Sequence, residues 1–420
     1  MTLESSPNFL PTSVQRAYNA YLTLETTDSG NRNEGIKAMA RGLKSAFDAI
    51  LEANTLDLEM SREMAVPEIL IDWLKLTPER LNNTIEILEQ LADLPDPIQQ
   101  VFNAPYRIST MGTYCQLMPL GVIAFVYEAF PELGAIAAGF CLKTGNSLIL
   151  RGCGSSTHSN QVIAEVLQEA LKEAKLPPGS LEVLSGEQGT SIQDLVTQHQ
   201  YLSLVIPYGR PTLVEQVTQL ATAPVLKSAM GNCYLYWSPT VDLDLVRWVI
   251  LDSHGSEPDP VNTIEKVLIS PSQNPSILVR LFNILREKGF ELRGDSELSA
   301  EFEDYLTPVA SEEWSVPYLE RIIAFKVVND LSEGIAWMNQ YSSGHADCLV
   351  TDSYPESRQF ATEVDSALVY INTSPKFDRR PKDGESLFLG VSNQKGHHRG
   401  LISLETFTTL KQVVQGNGKF

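Results

Sequence analysis

The sequence contains few cysteines, and they form no metal or redox motif. There are five cysteines in 420 residues, an odd number with no Cys-x-x-Cys pair. This pattern predicts reduced thiols in an intracellular protein rather than a disulfide framework. No run of about 18 apolar residues occurs, and Met1 to Pro11 lack the basic start and apolar stretch of a signal peptide. We therefore expect a soluble, cytoplasmic protein without a membrane-spanning segment.

Basic residues are scarce relative to acidic ones. The chain has 32 Lys and Arg against 52 Asp and Glu, a formal net charge of -20. Such a charge repels nucleic-acid phosphates and anionic lipid surfaces, so we expect no nucleic-acid or membrane partner. A local basic pocket for a small anionic ligand remains compatible with it. With 43% hydrophobic residues, 420 residues can form two or three domains with cores of their own.

Two common kinds of functional motif are also missing. No Gly-x-x-x-x-Gly-Lys-Ser/Thr phosphate loop occurs, and the six histidines show no His-Glu-x-x-His or Cys/His spacing. We therefore expect no metal site. Cys141 and Cys348 lie in apolar periodic runs and are expected in the core. Cys153 and Cys233 have no histidine at the spacing of a known catalytic dyad.

The periodicity of apolar residues changes along the chain. Up to about residue 101 the spacing is helical, with Thr77 as an N-cap and Pro78 as the first residue of a helix. Tyr106 to Leu117 predicts two short strands around a turn, either a hairpin or an edge used for assembly. From Gly121 onwards strands alternate with helices, which predicts parallel β-α-β units with ligands at the carboxyl ends of the strands. A second α/β region follows a break near Met230 to Asn232.

A glycine turn after a predicted strand is the first candidate anion site. Arg151, Gly152 and Gly154 lie where a strand leads into a helix, and such a turn points backbone N–H groups at a phosphate. The motif is incomplete, because a full Gly-x-Gly-x-x-Gly would need glycine in place of Thr157. A plain strand-to-helix turn is the alternative interpretation.

Two further segments contain histidines. Lys395 and Arg399 lie beside His397 and His398, where they form either an anionic-substrate site or a solvated basic loop. His345 ends a helix-like segment, and the preferred interpretation is a histidine that favours the helix C-terminus through the dipole.

Motifs in one consistent order carry a family resemblance. They are Leu76-Thr-Pro-Glu-Arg80, Pro119-Leu-Gly-Val-Ile123, Leu142-Lys-Thr-Gly-Asn146, Ile149-Leu-Arg-Gly152, Tyr341-Ser-Ser-Gly-His345 and Glu363-Val-Asp-Ser-Ala-Leu-Val-Tyr-Ile-Asn372. Over nearly its whole length the chain resembles the gamma-glutamyl phosphate reductases, also called glutamate-5-semialdehyde dehydrogenases, of the aldehyde dehydrogenase superfamily.

The resemblance implies an aldehyde-dehydrogenase-like α/β fold. It places a Rossmann-like cofactor domain in residues 1–104 and 121–231 and an α/β catalytic domain in 232–374. A small β oligomerisation and C-terminal element would comprise 105–120 and 375–420. The implied assembly is a homo-oligomer, with proline-synthesis enzymes as further candidate partners.

The implied reaction is the NADPH-dependent reduction of L-glutamyl 5-phosphate to glutamate 5-semialdehyde, a step of proline synthesis. In the family a cysteine attacks the acyl phosphate, and hydride then reduces the resulting thioester. That cysteine lies in an Arg-Pro-x-x-Cys-Asn pattern. The corresponding stretch aligns through Pro258, Asn262, Thr263 and Glu265, which puts Val261 at the cysteine position. An isopropyl group cannot act as a nucleophile.

Three other positions depart from the family pattern. Glu132 replaces an asparagine that donates a hydrogen bond to the developing oxyanion, and a negative charge there would repel that oxyanion. Ile206-Pro-Tyr-Gly-Arg210 replaces Ile-Pro-Arg-Gly-Gly beside the nicotinamide dinucleotide, keeping Pro207 and Gly209. Ser386 to Ser392 loses the acid of Gly-Ala-Glu-Ile-Gly-Ile-Ser.

The resemblance thus leads to three hypotheses. The preferred one is a catalytically impaired or regulatory reductase paralogue, because the scaffold motifs are kept while the groups that act on substrate are replaced. It would retain NADP(H) at Arg151, Gly152, Gly154, Pro207 and Gly209, with Lys395, His397 and Arg399 as candidate substrate-binding residues. The alternatives are a working NADPH-dependent reductase with an altered mechanism and a scaffold protein without ligand.

Overall fold

The computed structural model describes residues 9–104, 112–184, 191–255, 260–382, 384–396 and 398–416, without the side chains of 9–11 and 99. The chain divides into two compact units. The first unit comprises Met1–Ser228, Arg379–Leu389 and Leu401–Phe420, and the second comprises Ala229–Asp378 and Gly390–Gly400.

Nine of the described helices belong to the first unit. They are α1 (Phe9–Leu24), α2 (Ser29–Ser45), α3 (Phe47–Glu63), α4 (Glu68–Leu74), α5 (Pro78–Asp93), α6 (Leu133–Lys143), α7 (Thr157–Glu173), α8 (Ile192–Val196) and α9 (Pro211–Leu220). The predicted cap of α5 is confirmed, because the Thr77 side chain accepts a hydrogen bond from the backbone N–H of Arg80 and Pro78 is the first helical residue.

A five-stranded sheet lies at the centre of the first unit. Its strands are β3 (Val122–Tyr127), β4 (Ser147–Arg151), β5 (Leu181–Val183), β6 (Leu202–Gly209) and β7 (Ser228–Ala229), in the order β5-β4-β3-β6-β7. β3 pairs in parallel with both β4 and β6, so the predicted parallel β-α-β units are confirmed. The strand order reverses beside β3, and ligands of such sheets bind at the carboxyl ends of the strands next to the reversal.

A separate antiparallel sheet in this unit has three strands. They are β1 (Val101–Asn103), β2 (Gly112–Pro119) and β17 (Thr408–Gln415), with β2 in the middle. Residues 105–111, which include part of the predicted strand pair, lie outside the described residues. Gly112 is the first residue of β2, whose two partners are β1 and, from the C-terminal region, β17.

The second unit is built around a seven-stranded parallel sheet. Its strands are β8 (Cys233–Trp237), β9 (Ile264–Ile269), β10 (Glu291–Gly294), β11 (Thr307–Pro308), β12 (Ile322–Val327), β13 (Ala346–Val350) and β14 (Leu368–Ile371). Their order in the sheet is β11-β10-β12-β9-β8-β13-β14. Its helices are α10 (Leu243–Ser253), α11 (Pro275–Glu287), α12 (Ser296–Glu301), α13 (Leu331–Tyr341) and α14 (Tyr354–Glu363). Two short strands follow, β15 (Val391–Ser392) and β16 (Gly400–Leu401).

The central strands of this sheet are buried along their length. All residues of β8, β9 and β13 are buried. Strands covered on both faces need continuous apolar runs, which explains why Cys233 to Trp237 does not alternate with polar residues. None of the described helices could span a lipid bilayer.

Candidate active site

An ion pair lies where β3 and β6 end in the first unit. Arg210 donates from Nε and Nη2 to the Glu128 carboxylate, at 3.0 and 2.6 Å. These hydrogen bonds raise the pKa of the Arg210 guanidinium. Gly209, at φ +150°, leaves room for the pair, because a Cβ there would lie 2.9 Å from Glu128 Cβ. No N-cap side chain bonds to the start of α9 at Pro211, and the N–H of the N-cap residue Arg210 donates to Glu128 Oε2 at 3.2 Å.

The glycine turn between β4 and α7 also lies at this edge of the sheet. Arg151 Nη1 donates to the Gly152 carbonyl at 2.6 Å, and burial lowers the pKa of the guanidinium. No atom lies within 4 Å of the point where a Cβ of Gly154 would be. The turn therefore combines a partly buried cation with open space for a ligand.

The first N–H groups of α7 already have a partner. The buried carboxylate of Asp57 accepts from the backbone N–H of His158 at 3.0 Å and from that of Ser159 at 2.8 Å. It also accepts from the Ser159 hydroxyl at 2.6 Å. A phosphate at this turn therefore cannot use those two N–H groups and depends on Arg151 and the turn itself.

The segment between β3 and α6 has a strained backbone. Ala129 and Phe130 have φ values of 55° and 38°, which residues other than glycine rarely adopt. Neighbouring groups hold this conformation. The Ala129 N–H donates to Cys153 Sγ at 3.3 Å, and the Phe130 ring stacks on Trp73 with centroids 5.0 Å apart.

Glu132, the last residue of this segment, is buried and paired. Arg80 donates from Nε to Glu132 Oε1 at 3.0 Å and forms a salt bridge with the same oxygen. Arg80 therefore offsets the charge of Glu132, and repulsion of an oxyanion at this position stays a prediction. A carboxylate also lacks the amide N–H that the resemblance implies at this position.

The tyrosine that replaces an arginine in the Ile-Pro-Arg-Gly-Gly motif belongs to the core. Tyr208 is fully buried, and its hydroxyl accepts a hydrogen bond from Arg379 Nη2 at 3.0 Å. Arg379 also donates to the Leu389 carbonyl at 2.7 Å. A buried guanidinium thus fixes the segment Arg379–Leu389 to the end of β6.

The predicted nucleophile position lies in the second unit. Val261 is 1% exposed, and its carbonyl accepts a hydrogen bond from the Gly231 N–H at 3.0 Å. Gly231 permits this approach, because a Cβ there would lie 2.3 Å from the Val261 oxygen. The site therefore presents a buried isopropyl group on a fixed backbone.

Both cysteines of the second unit are inaccessible. Cys233 and Cys348 are both fully buried, and burial raises the pKa of each thiol. Nucleophilic attack requires a thiolate with access to substrate. Among all five cysteines only Cys153, in the first unit, is not buried.

The candidate substrate cations of the second unit share one carboxylate. Asp365 forms salt bridges with Lys395 and with Arg399, the latter at 3.0 Å. The hydrogen bond from Lys395 is the main cause that lowers the pKa of Asp365. The structure thus brings Lys395 and Arg399 together, while His397 lies outside the described residues.

His345 does not take the role that the sequence indicated. α13 ends at Tyr341, and His345 lies three residues beyond its C-cap, directly before β13. Burial lowers the pKa of the imidazole to about 4. The interpretation of a histidine that favours the helix dipole was wrong, because that interaction needs a charged ring.

Comparisons with known proteins agree with this architecture. Residues 10–244 match the model of the aldehyde dehydrogenase family. Gamma-glutamyl phosphate reductase 2 of a Synechocystis species is 57% identical over 100% of both chains. The chain belongs to the aldehyde dehydrogenase family, among the gamma-glutamyl phosphate reductases.

Further relatives support this membership. The gamma-glutamyl phosphate reductase of Gloeobacter violaceus is 38% identical over 98% of this chain and 97% of its own. The crystal structure of the Thermotoga maritima gamma-glutamyl phosphate reductase has a TM-score of 0.87 and 32% identity, covering 98% and 99% of the two chains. The predicted family and the aldehyde-dehydrogenase-like α/β fold are confirmed. Membership of this family implies the use of a nicotinamide dinucleotide.

Several residues of this reductase-like site were not found from the sequence. Asp57 lies 101 positions before His158, and Arg379 lies 171 positions after Tyr208. No local pattern connects either pair. The Glu128–Arg210 pair had a weak signal, since an arginine replaces a family glycine beside the cofactor motif.

Proposed function

We propose that this chain binds NADP(H) and L-glutamyl 5-phosphate but does not carry out the thioester step of the gamma-glutamyl phosphate reductases. In that step a thiolate forms a bond to the acyl carbon, the phosphate leaves, and hydride then releases glutamate 5-semialdehyde and the thiolate. The buried side chain of Val261 carries the proposal, because it offers no group that can form the bond.

Burial of the remaining thiols supports the same conclusion. Within the second unit the nearest cysteine to this turn is Cys233, whose Sγ lies 3.8 Å from the Val261 carbonyl oxygen. Its raised pKa keeps it protonated at neutral pH. In the first unit Glu132 pairs with Arg80 and offers no amide N–H to an oxyanion.

The first unit fits a dinucleotide. Arg151 supplies a cation at the carboxyl end of β4, where an arginine of a Rossmann-like sheet accommodates the 2′-phosphate of NADP. Gly154 leaves open space for a phosphate at the turn after β4. When bound, the cofactor supplies the hydride.

We also propose a homo-oligomer formed through the three-stranded sheet. Val101 and Phe102 of β1 are 59% and 44% exposed, and Leu410 and Val414 of β17 are 57% and 44% exposed. Apolar side chains on a sheet with open edges favour pairing with another chain.

Two measurements test the proposed function. Calorimetry with NADPH and NADH measures cofactor binding, and we expect NADPH to bind more tightly. Loss of NADPH absorbance is then followed with L-glutamyl 5-phosphate generated by a glutamate kinase. We expect no turnover above the background without protein. Turnover by the wild type would instead support a working reductase with an altered mechanism.

A further inference from the structure

The backbone around Asn262 is fixed on both sides within the second unit. On one side the Val261 carbonyl accepts from the Gly231 N–H at 3.0 Å. On the other, the Ile264 N–H donates to Ser253 Oγ at 3.2 Å, and His254 Nε2 lies 2.9 Å from the Ile264 carbonyl oxygen. The turn that carries Asn262 is therefore held by neighbours that use its main chain.

The Asn262 side chain contrasts with this fixed backbone. The residue is 1% exposed, and neither Nδ2 nor Oδ1 has a hydrogen-bond partner in the described structure. Buried amides in native proteins are nearly always bonded, so an amide with both atoms unpaired needs an explanation. A packing role alone does not provide one, because an apolar side chain of the same size would fill the space at lower cost.

Asn54, in the first unit, shows how a structural asparagine is satisfied in this chain. It is 2% exposed, and its Nδ2 donates to the Leu74 carbonyl at 2.9 Å and to Ser159 Oγ at 3.2 Å. Its Oδ1 accepts from the Leu76 N–H at 2.8 Å. Asn54 is a matched control for Asn262, because the two residues are similarly buried but only the amide of Asn54 is hydrogen-bonded.

We propose that Asn262 is a substrate-binding residue whose amide N–H donates to the acyl oxygen of a bound γ-acyl glutamate. This inference rests on the proposed function. Asn262 follows the position of the family's nucleophile, so its side chain is attached beside the place where the acyl carbon would react. The Gly231 N–H is already used by the Val261 carbonyl. A neutral amide can donate to a carbonyl oxygen and accept from a substrate N–H or O–H with its own oxygen.

The test uses the full chain and a stable probe, L-glutamate γ-hydroxamate, which has a carbonyl oxygen and N–H and O–H groups at the γ position. Asn262→Leu removes the amide at nearly constant size. We expect the dissociation constant for the hydroxamate to rise at least about tenfold, as for the loss of one good hydrogen bond. The melting temperature without ligand should stay the same or rise, because an unpaired buried amide is removed. In the control, Asn54→Leu should lower the melting temperature, because it leaves the partners of Asn54 unpaired.

A second variant, Asn262→Asp, keeps the size and the acceptor but lacks the N–H donors. We expect it to lose hydroxamate affinity as well, while both Asn262 variants bind NADPH like the wild type. Unchanged hydroxamate affinity in either variant would overturn this inference alone. Absence of hydroxamate binding by the wild type, with NADPH still bound, would overturn both the proposed substrate and the role of Asn262.

Discussion

Two buried titratable groups near the start of β13 have pKa values displaced in opposite directions. Burial lowers the pKa of His345 from 6.5 to about 4 and raises that of Asp347 from 3.8 to about 6. At pH 5 the folded protein therefore holds its proton on Asp347 and keeps His345 neutral. In the unfolded chain the assignment is reversed, with a charged histidine and an ionised aspartate.

The effects of the two groups on stability nearly cancel. Protonation of His345 in the unfolded state alone lowers the free energy of unfolding by about 2 kcal/mol between pH 7 and pH 5. Protonation of Asp347 in the folded state raises it by about 1.4 kcal/mol over the same interval. The pKa of His345 is lower in the folded protein than in the unfolded chain. Its contribution to the free energy of unfolding is therefore fully present above pH 6.5 and is lost as the pH falls towards 4. Asp347 has the opposite effect, because its contribution to the free energy of unfolding increases as the pH falls through about 6.

Single substitutions should reveal each contribution. In His345→Asn, where only Asp347 remains, we expect the free energy of unfolding to rise by about 1.4 kcal/mol from pH 7 to pH 5, relative to the change in a double variant that lacks both groups. In Asp347→Asn we expect a loss of about 2 kcal/mol over the same range. Compared directly, the two variants should differ in this pH dependence by about 3 kcal/mol.

Urea unfolding followed by tryptophan fluorescence measures this difference. Four of the five tryptophans, at positions 237, 248, 314 and 337, lie in the second unit with His345 and Asp347. His199→Asn is the control, because that ring is exposed in the first unit and the variant should follow the wild-type profile. Identical pH dependence in the His345 and Asp347 variants would refute the assignment of these protonation states.

Three further predictions follow from the first unit. Arg151→Ala should weaken NADPH binding about tenfold and NADH binding less, as measured by calorimetry with Arg247→Ala as the control variant. Equal losses of affinity for both cofactors would contradict a contact between Arg151 and the 2′-phosphate. Leu410→Glu should shift the protein to smaller species in light scattering at fixed concentration, and an unchanged mass would exclude β17 from the interface. Arg379→Leu should lower the free energy of unfolding by about 2 kcal/mol, since it removes charged hydrogen bonds to Tyr208 and Leu389. If the variant unfolds at the same urea concentration as the wild type, these hydrogen bonds do not contribute to stability.

The parallel sheet of the first unit could be predicted from local patterns. Apolar runs such as Val122–Tyr127 and residues 148–150 are buried on both faces and alternate with helices, so their periodicity indicates a parallel sheet. The Thr77 cap could be predicted for the same reason, because a cap involves only neighbours in sequence. Pairing of β17 with β2 was beyond such patterns, since the two strands are almost 300 residues apart.

The candidate site was predicted only in part. The resemblance located Val261, Glu132 and the basic residues Lys395 and Arg399. It did not show that Arg80 pairs with Glu132 or that Asp365 forms salt bridges with both Lys395 and Arg399. These partners come from distant parts of the chain, and side-chain pairing of that kind leaves no periodic trace in a sequence.

The most direct test of the account compares hydride transfer in the wild type, Val261→Cys and Val261→Ser. Each protein is supplied with NADPH and L-glutamyl 5-phosphate made by a glutamate kinase, and the loss of NADPH absorbance is followed. We predict no turnover by the wild type or the serine variant and measurable turnover by the cysteine variant, whose acyl thioester should appear in mass spectrometry when NADPH is omitted. Turnover by the wild type at a rate that the cysteine variant does not exceed would contradict the claim that Val261 blocks the reaction.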